Sequence, residues 1–204
     1  MTRTLYAITD AQLLPGDKLF SAVADALKGG CTLVQYRDKS TDQARRLFEA
    51  KSLVALCNQY QAQLLINDDV ELAKNSNAHG VHLGQDDTNP VAARLILGTR
   101  AIIGVTCHDS LTLAQKAIKD TANYIAFGRF FPSSTKPDAR PAPISLISEA
   151  RATFGTTPIA VIGGITLGNG KQLLDAGADM LAVCHSLFSA DDITAQAKKF
   201  IELL

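Results

Sequence analysis

The run LLINDDVELA, Leu64 to Ala73, ends an apolar stretch in Asn67, Asp68 and Asp69, and apolar periodicity then resumes at once. A second acid pair, Asp86 and Asp87, follows the next apolar run, GVHLG. Adjacent acids of this kind either cap a helix or hold a cation. Asp69, directly before VELA, fits a helix N-cap. Capping gives no reason for acids to recur at the end of the neighbouring run. Asp68 and Asp87 together suit a hard ion such as Mg²⁺, which takes few protein oxygens and completes its shell with water and phosphate.

Cations stand in a matching pattern. In VQYRDKS, Gln35, Arg37 and Lys39 alternate, so on a strand and its extension they share one side, with Val34 and Tyr36 on the other. An Arg and a Lys projecting together into a concave mouth are costly unless an anion meets them. A surface ion pair with Asp38 or another acid is the plainer alternative. Further along, PSSTKPD offers Ser133, Ser134, Thr135 and Lys136, hydroxyl and ammonium donors suited to phosphate oxygens. VIGGIT places Gly163 and Gly164 where main-chain N–H groups can approach an anion. Acids for a metal with cations and hydroxyls for phosphate suggest chemistry on a diphosphate.

The histidines point less sharply. His79 and His82 are three apart around a strand start and face opposite ways, so His82 reads as a core or supporting residue. His108 and His185 stand at strand ends and can titrate near neutrality. No Ser-His-Asp order or G-x-S-x-G elbow is present, which disfavours a hydrolytic nucleophile.

These residues need a scaffold that brings them together. Short apolar runs begin at Leu5, Leu33, Leu64, Gly80, Ala101, Tyr124, Pro158 and Met180, nearly continuous rather than alternating, as in strands buried on both faces. Between them lie helix-like segments: DKLFSAVADALKGG stops at Gly29-Gly30, and TDQARRLFEAKSLVALCNQY takes Thr41 as its expected N-cap. Repeated strand and helix units imply parallel pairing through right-handed crossovers. The expected fold is a single-domain (β/α)₈ TIM barrel over residues 1–204. An open doubly wound sheet is the competitor, but AITDAQLLPGD carries no G-x-G-x-x-G after the first strand. In a barrel the residues closing each strand converge on one face. The loop GRFFPSSTKPDARPAP, after the sixth strand, is long enough to suggest a functional role.

Composition narrows the partners. Lys plus Arg and Asp plus Glu are each 20, which gives no reason to expect nucleic acid or an anionic membrane surface. No apolar run reaches membrane-spanning length, and MTRTLYAITD leaves no room for a secretory apolar core before the first strand. Cys31, Cys57, Cys107 and Cys184 form no C-x-x-C pair, so a cytoplasmic protein with free thiols is expected. The expected partners are phosphorylated small molecules, with assembly into a homo-oligomer left open.

Together YAITD, LVQYRDKS, LLINDDVELA, GVHLGQDD, GVTCHDS, FGRFFPSSTKPDA and AVIGGIT resemble the thiamine-phosphate synthase family, in order and with its spacing, from Leu5 to about Phe188. The resemblance implies a (β/α)₈ barrel. It also implies a Mg²⁺-dependent transferase joining an aminopyrimidine diphosphate to a thiazole phosphate by a dissociative substitution. It makes Gln35, Arg37, Lys39 and Asn67 ligands of the pyrimidine diphosphate, and Asp68 and Asp87 metal ligands. Thr106 falls beside the reacting methylene, where the family usually has Ser. Ser133, Thr135 and Lys136 fall at the diphosphate and thiazole phosphate, and Gly164 at the phosphate. Arg37, Thr106 and Lys136 are the expected catalytic residues. Ser133 replaces a more usual Thr and Arg129 a more usual Pro. His185 and Ser186 stand where Ser-Ala is expected, so either backbone N–H groups or the Ser186 hydroxyl would meet phosphate there. A thiazole tautomerase on a related barrel, with His108 moving a proton, is the nearest rival.

Overall fold

The strands close on themselves. The computed structural model describes residues 3–132 and 141–204, and contains β1 (Thr4–Ile8), β2 (Leu33–Tyr36), β3 (Gln63–Asn67), β4 (Gly80–Leu83), β5 (Ile102–Thr106), β6 (Tyr124–Phe127), β7 (Ile159–Ile162) and β8 (Met180–Val183). Every neighbour pair is parallel and sequential, and β8 returns to β1. The expected (β/α)₈ barrel is the observed one. Among the described residues the helices are α1 (Lys18–Lys28), α2 (Gln43–Gln59), α3 (Val70–Ser76), α4 (Pro90–Leu97), α5 (Leu111–Lys119), α6 (Ser145–Phe154), α7 (Gly170–Asp175), α8 (His185–Phe188) and α9 (Ile193–Leu203).

Strand parity produces two cores. Leu5, Ala7, Val34, Tyr36, Leu64, Ile66, Val81 and their counterparts face outward and pack against the helix ring. Tyr6, Ile8, Leu33, Leu65, Tyr124, Ala126, Ala160 and Ala182 face inward and fill the barrel. Burial on both sides is why the strands lack the polar alternation of a solvated sheet. The inward layer mixes large and small side chains, as a filled barrel interior requires.

Helix starts are fixed by short acceptors. Asp69, Asn89, Ser110 and Asp192 accept from main-chain N–H groups of α3, α4, α5 and α9. Asp42, not the expected Thr41, caps α2 by accepting from Arg45 N at 3.0 Å. An aspartate one residue later offers the stronger, charged acceptor to the same helix end. His79 accepts from Leu64 N through Nδ1 at 3.0 Å, which ties the start of β4 to β3 and turns His79 away from the interior that His82 enters. All four cysteines are free, three buried and Cys184 half-buried. Burial pushes their thiols up, Cys31 to about 11 and Cys57, Cys107 and Cys184 to about 12. Among the described residues no helix is long and apolar enough to cross a membrane.

Candidate active site

The corner after β3 gives its consecutive polar residues separate tasks. Asn67 ends the strand, half-buried, and its carbonyl accepts from Asp69 N at 2.8 Å. Asp68 adopts a left-handed backbone with φ 64, an arrangement Asp tolerates better than most residues, and its N–H donates to His82 O at 2.8 Å. Asp69 caps α3 at Leu72 N and pairs with Arg46 at 3.1 Å. The turn thus separates a structural carboxylate, Asp69, from one at the barrel mouth, Asp68.

Beyond β2 the chain extends along the same mouth. Gln35 is buried inside the barrel, while Arg37 and Lys39 follow it outward. Arg37 N donates to Thr9 Oγ1 at 2.9 Å, and its guanidinium lies 3.9 Å from Asp10. Lys39 forms an ion pair with Asp68. The intervening Asp38 turns the other way, its side chain 1% exposed, and meets Arg45 at 2.8 Å. Arg45 also pairs with Glu49 at 2.9 Å and donates to Ser40 Oγ at 2.7 Å, and Glu49 accepts from the Tyr36 hydroxyl. This clamp from α2 fixes the segment whose neighbouring residues, Arg37 and Lys39, reach the mouth. It was not anticipated from sequence, although the alternation of VQYRDKS leaves Asp38 on the side facing α2.

Asp87 completes an acid pair across adjoining loops. Its Oδ2 accepts from Gly84 N at 2.7 Å, closing the turn after β4, and its side chain is within hydrogen-bonding reach of Asp68. The two carboxyls are held differently. Burial works against the charge on Asp68, but Lys39 and Asp87 outweigh it and lower its pKa. Burial, with Asp68 beside it, raises that of Asp87. Among the described residues no group of three or more His, Cys, Asp or Glu side chains gathers to hold a metal. A pair of crowded hard oxygen donors nevertheless suits a divalent cation whose other ligands are water and phosphate.

Below this rim a chain of polar groups crosses the interior. Gln35 Nε2 donates to the Tyr6 hydroxyl, which is 2.8 Å from that of Tyr124. The Tyr124 hydroxyl is 2.7 Å from His82 Nδ1, and His82 Nε2 is 2.8 Å from Thr106 Oγ1. Gln85 Nε2 donates to the Thr106 carbonyl. Tyr6 and Tyr124 were missed in the sequence because aromatic residues are ordinary in strands. Their parity, shared with Ile8 and Ala126, would have marked them as hydroxyls pointing inward.

The glycines after β7 serve an additional purpose. Gly163 and Gly164 have φ 102 and 63, and a Cβ on them would lie 2.2 Å from Arg129 Cβ and 2.3 Å from Pro132 O. They let the chain leaving β6 run against the end of β7, where Phe131 N donates to Gly163 O at 3.0 Å. Ser133, Thr135 and Lys136 lie outside the described residues. Ser186 Oγ donates to the Ile165 carbonyl at 2.5 Å, tying α8 to the β7 loop. His185 is exposed, with Nδ1 3.2 Å from Ser189 Oγ. His108 is exposed, with φ 51.

The same chain can be set beside known proteins. Residues 5–187 match the profile of the family described as Thiamine monophosphate synthase. A thiamine-phosphate synthase from Saccharophagus degradans is 54% identical over 201 residues, which cover 98% of this chain and 92% of the relative. A solved thiamine phosphate pyrophosphorylase from Pyrococcus furiosus superposes with a TM-score of 0.88 at 30% identity, covering 98% of this chain and 94% of the other. A thiamine phosphate pyrophosphorylase from Bacteroides thetaiotaomicron, at 16% identity and a TM-score of 0.71, covers 98% of this chain and 96% of its own and shares the fold.

Proposed function

The chain belongs to the thiamine monophosphate synthase family, and from that premise we propose how its barrel mouth carries out the reaction. It acts as a thiamine-phosphate synthase, a transferase. The substrates we assign are 4-amino-2-methyl-5-hydroxymethylpyrimidine diphosphate and 4-methyl-5-(2-phosphoethyl)thiazole, or its carboxylated form. The products are thiamine monophosphate and diphosphate.

The observation that carries this reading is the meeting of Lys39, Asp68 and Asp87 at the ends of β2, β3 and β4. Asp68 and Asp87 would hold Mg²⁺, which when bound neutralises charge on the departing diphosphate. Arg37 and Lys39 stand on the same rim and draw the diphosphate to it. Lys39 already neutralises Asp68, so an incoming phosphate oxygen competes for a charge the protein has placed. Gln35 and Asn67 hold the pyrimidine, and Thr106 lies beside the methylene that loses the diphosphate. Departure from an electron-rich aminopyrimidine can precede attack by the thiazole nitrogen, so no side-chain nucleophile is needed. The site's work is charge placement. Lys136, Thr135 and Ser133 would add donors from the loop after β6, and Gly164 after β7, with His185 and Ser186 at the start of α8, would meet the thiazole phosphate. Four free thiols, three of them buried, support a reducing cytoplasm as the compartment.

The test combines the two substrates with purified protein, in Mg²⁺ or in EDTA, and measures diphosphate and thiamine monophosphate. Equal amounts of both products in Mg²⁺, lost in EDTA, is the expected result. Turnover untouched by EDTA would remove the metal from the scheme. Absence of both products in Mg²⁺ would remove the substrate assignment.

A further inference from the structure

The interior chain from Gln35 to Thr106 has a direction. An amide nitrogen only donates, so the Tyr6 oxygen accepts from Gln35 Nε2. The Tyr6 and Tyr124 oxygens are 2.8 Å apart, where either phenol can donate, and with Gln35 donating to Tyr6 the one proton of Tyr6 is left for Tyr124. Tyr124, accepting from Tyr6, then has its own proton for His82 Nδ1 at 2.7 Å in the tautomer that leaves that nitrogen bare. A neutral imidazole that accepts on Nδ1 carries its hydrogen on Nε2. That hydrogen points to Thr106 Oγ1 at 2.8 Å, leaving the Thr106 hydroxyl proton to be turned elsewhere.

We propose that Tyr6, Tyr124 and His82 are positioning residues, a one-way hydrogen-bond relay that fixes the amide of Gln35 and turns the Thr106 hydroxyl proton into the barrel mouth. Thr106 then meets the substrate as a donor beside the breaking bond, with its acceptor side already taken by His82. This consequence for turnover rests on the placement of Thr106 beside the reacting methylene. The relay itself does not.

Packing holds the relay in place independently of its hydrogen bonds. Tyr6, Tyr124 and Gln35 are 1 to 2% exposed and His82 8%, so water is largely kept from its links. Burial raises the pKa of both phenols well above the ordinary value, and each keeps its proton. The Tyr6 and Tyr124 rings meet edge to face with centroids 6.0 Å apart, and Tyr124 stacks on His82 at 5.6 Å. Gly104 of β5 makes this possible. A Cβ there would lie 1.9 Å from Tyr124 Cζ and 2.2 Å from its hydroxyl. The strand surrenders a side chain so that a phenol can lie across the barrel.

The decisive measurement is the tautomer of His82 in ¹⁵N-labelled wild-type protein without substrate, read from long-range ¹⁵N–¹H correlations and assigned with His82→Asn. We expect the hydrogen on Nε2 and a bare, accepting Nδ1. A hydrogen on Nδ1 would mean that the chain runs backwards from Gln35 Oε1, and a doubly protonated ring would mean no relay. Either result overturns the proposal whatever the protein catalyses. Tyr124→Phe keeps the ring and removes the link. It should weaken the Nε2–H preference and lower kcat about tenfold with KM within about twofold, as the loss of one orienting hydrogen bond would. An unchanged tautomer and an unchanged kcat in that variant would also overturn it. Thr106→Ser should keep most of kcat, and Thr106→Val should lose it. Equal rates in those two variants would show that the hydroxyl proton has no part.

Discussion

At the scale of single residues, the corner Asn67-Asp68-Asp69 shows how little separates structure from chemistry. The backbone of Asp68 is left-handed, so its carboxylate turns to Lys39 and Asp87 while that of Asp69 caps α3. Asp87→Asn keeps an acceptor for Gly84 N but loses the charge. It should cut turnover on the order of 10²–10³, as removal of a preorganised charge contact does, with the circular dichroism spectrum unchanged. A rate within about threefold of wild type, in a steady-state assay with Mg²⁺ saturating, would exclude Asp87 from the metal site. The acids and cations were legible because charge at strand ends has few structural uses. The tyrosines were not, because a strand tyrosine looks the same whether its hydroxyl finds solvent or a buried imidazole. Only the register of all eight strands shows that Tyr6, Tyr124 and His82 share one interior.

At the scale of elements, the segment after β2 is held by α2. Asp38 is buried against Arg45, whose guanidinium also reaches Glu49 and Ser40. Burial opposes the charge on Asp38, but Ser40 and Arg45 outweigh it and hold its pKa below the ordinary carboxylate value. A carboxyl lowered on folding contributes stability above its unfolded pKa of about 3.9 and loses it as pH falls through the folded value. Asp38→Asn should therefore cost about 1–3 kcal/mol at pH 7, and the gap from wild type should close below about pH 4. Urea unfolding at both pH values reads this out, and a gap that stays constant would contradict it. The same variant should raise KM for the pyrimidine diphosphate, since Arg37 and Lys39 flank the loosened residue. Gly104→Ala tests the interior in a different way. Forcing a methyl into the Tyr124 ring should cost about 3 kcal/mol or more, whereas Gly168→Ala meets nothing nearer than 3.8 Å and should be close to neutral. The strand and helix units were readable from run length and burial pattern. The α2 cap was misplaced by one residue because Thr41 and Asp42 are both good acceptors, and only the observed backbone decides between them.

For the whole molecule, closure makes every unit depend on its neighbours. The last helix, α9, lies against α1 and β1, where Thr194 Oγ1 donates to Asp25 O at 3.0 Å and a Cβ on Gly29 would lie 2.4 Å from Ala197. Phe200, fully buried there, should cost about 3–5 kcal/mol on replacement by Ala. KM should stay at the wild-type value, because Phe200 packs in the core and is not among the residues assigned to the substrates. A changed KM would mean that packing at the seam reaches the rim. The barrel as a whole was legible because its repeating unit is written repeatedly along the chain. The convergence of the mouth became concrete only with the order of the strands. The protonated state of the cysteines carries a practical consequence. Thiol-directed reagents act on the thiolate, and Cys31, Cys57, Cys107 and Cys184 are all held protonated near neutrality by burial. A cysteine installed at Leu95, 82% exposed on α4, would be the thiol a maleimide reaches first. A dye or surface tether could then be attached at one chosen point on the native background.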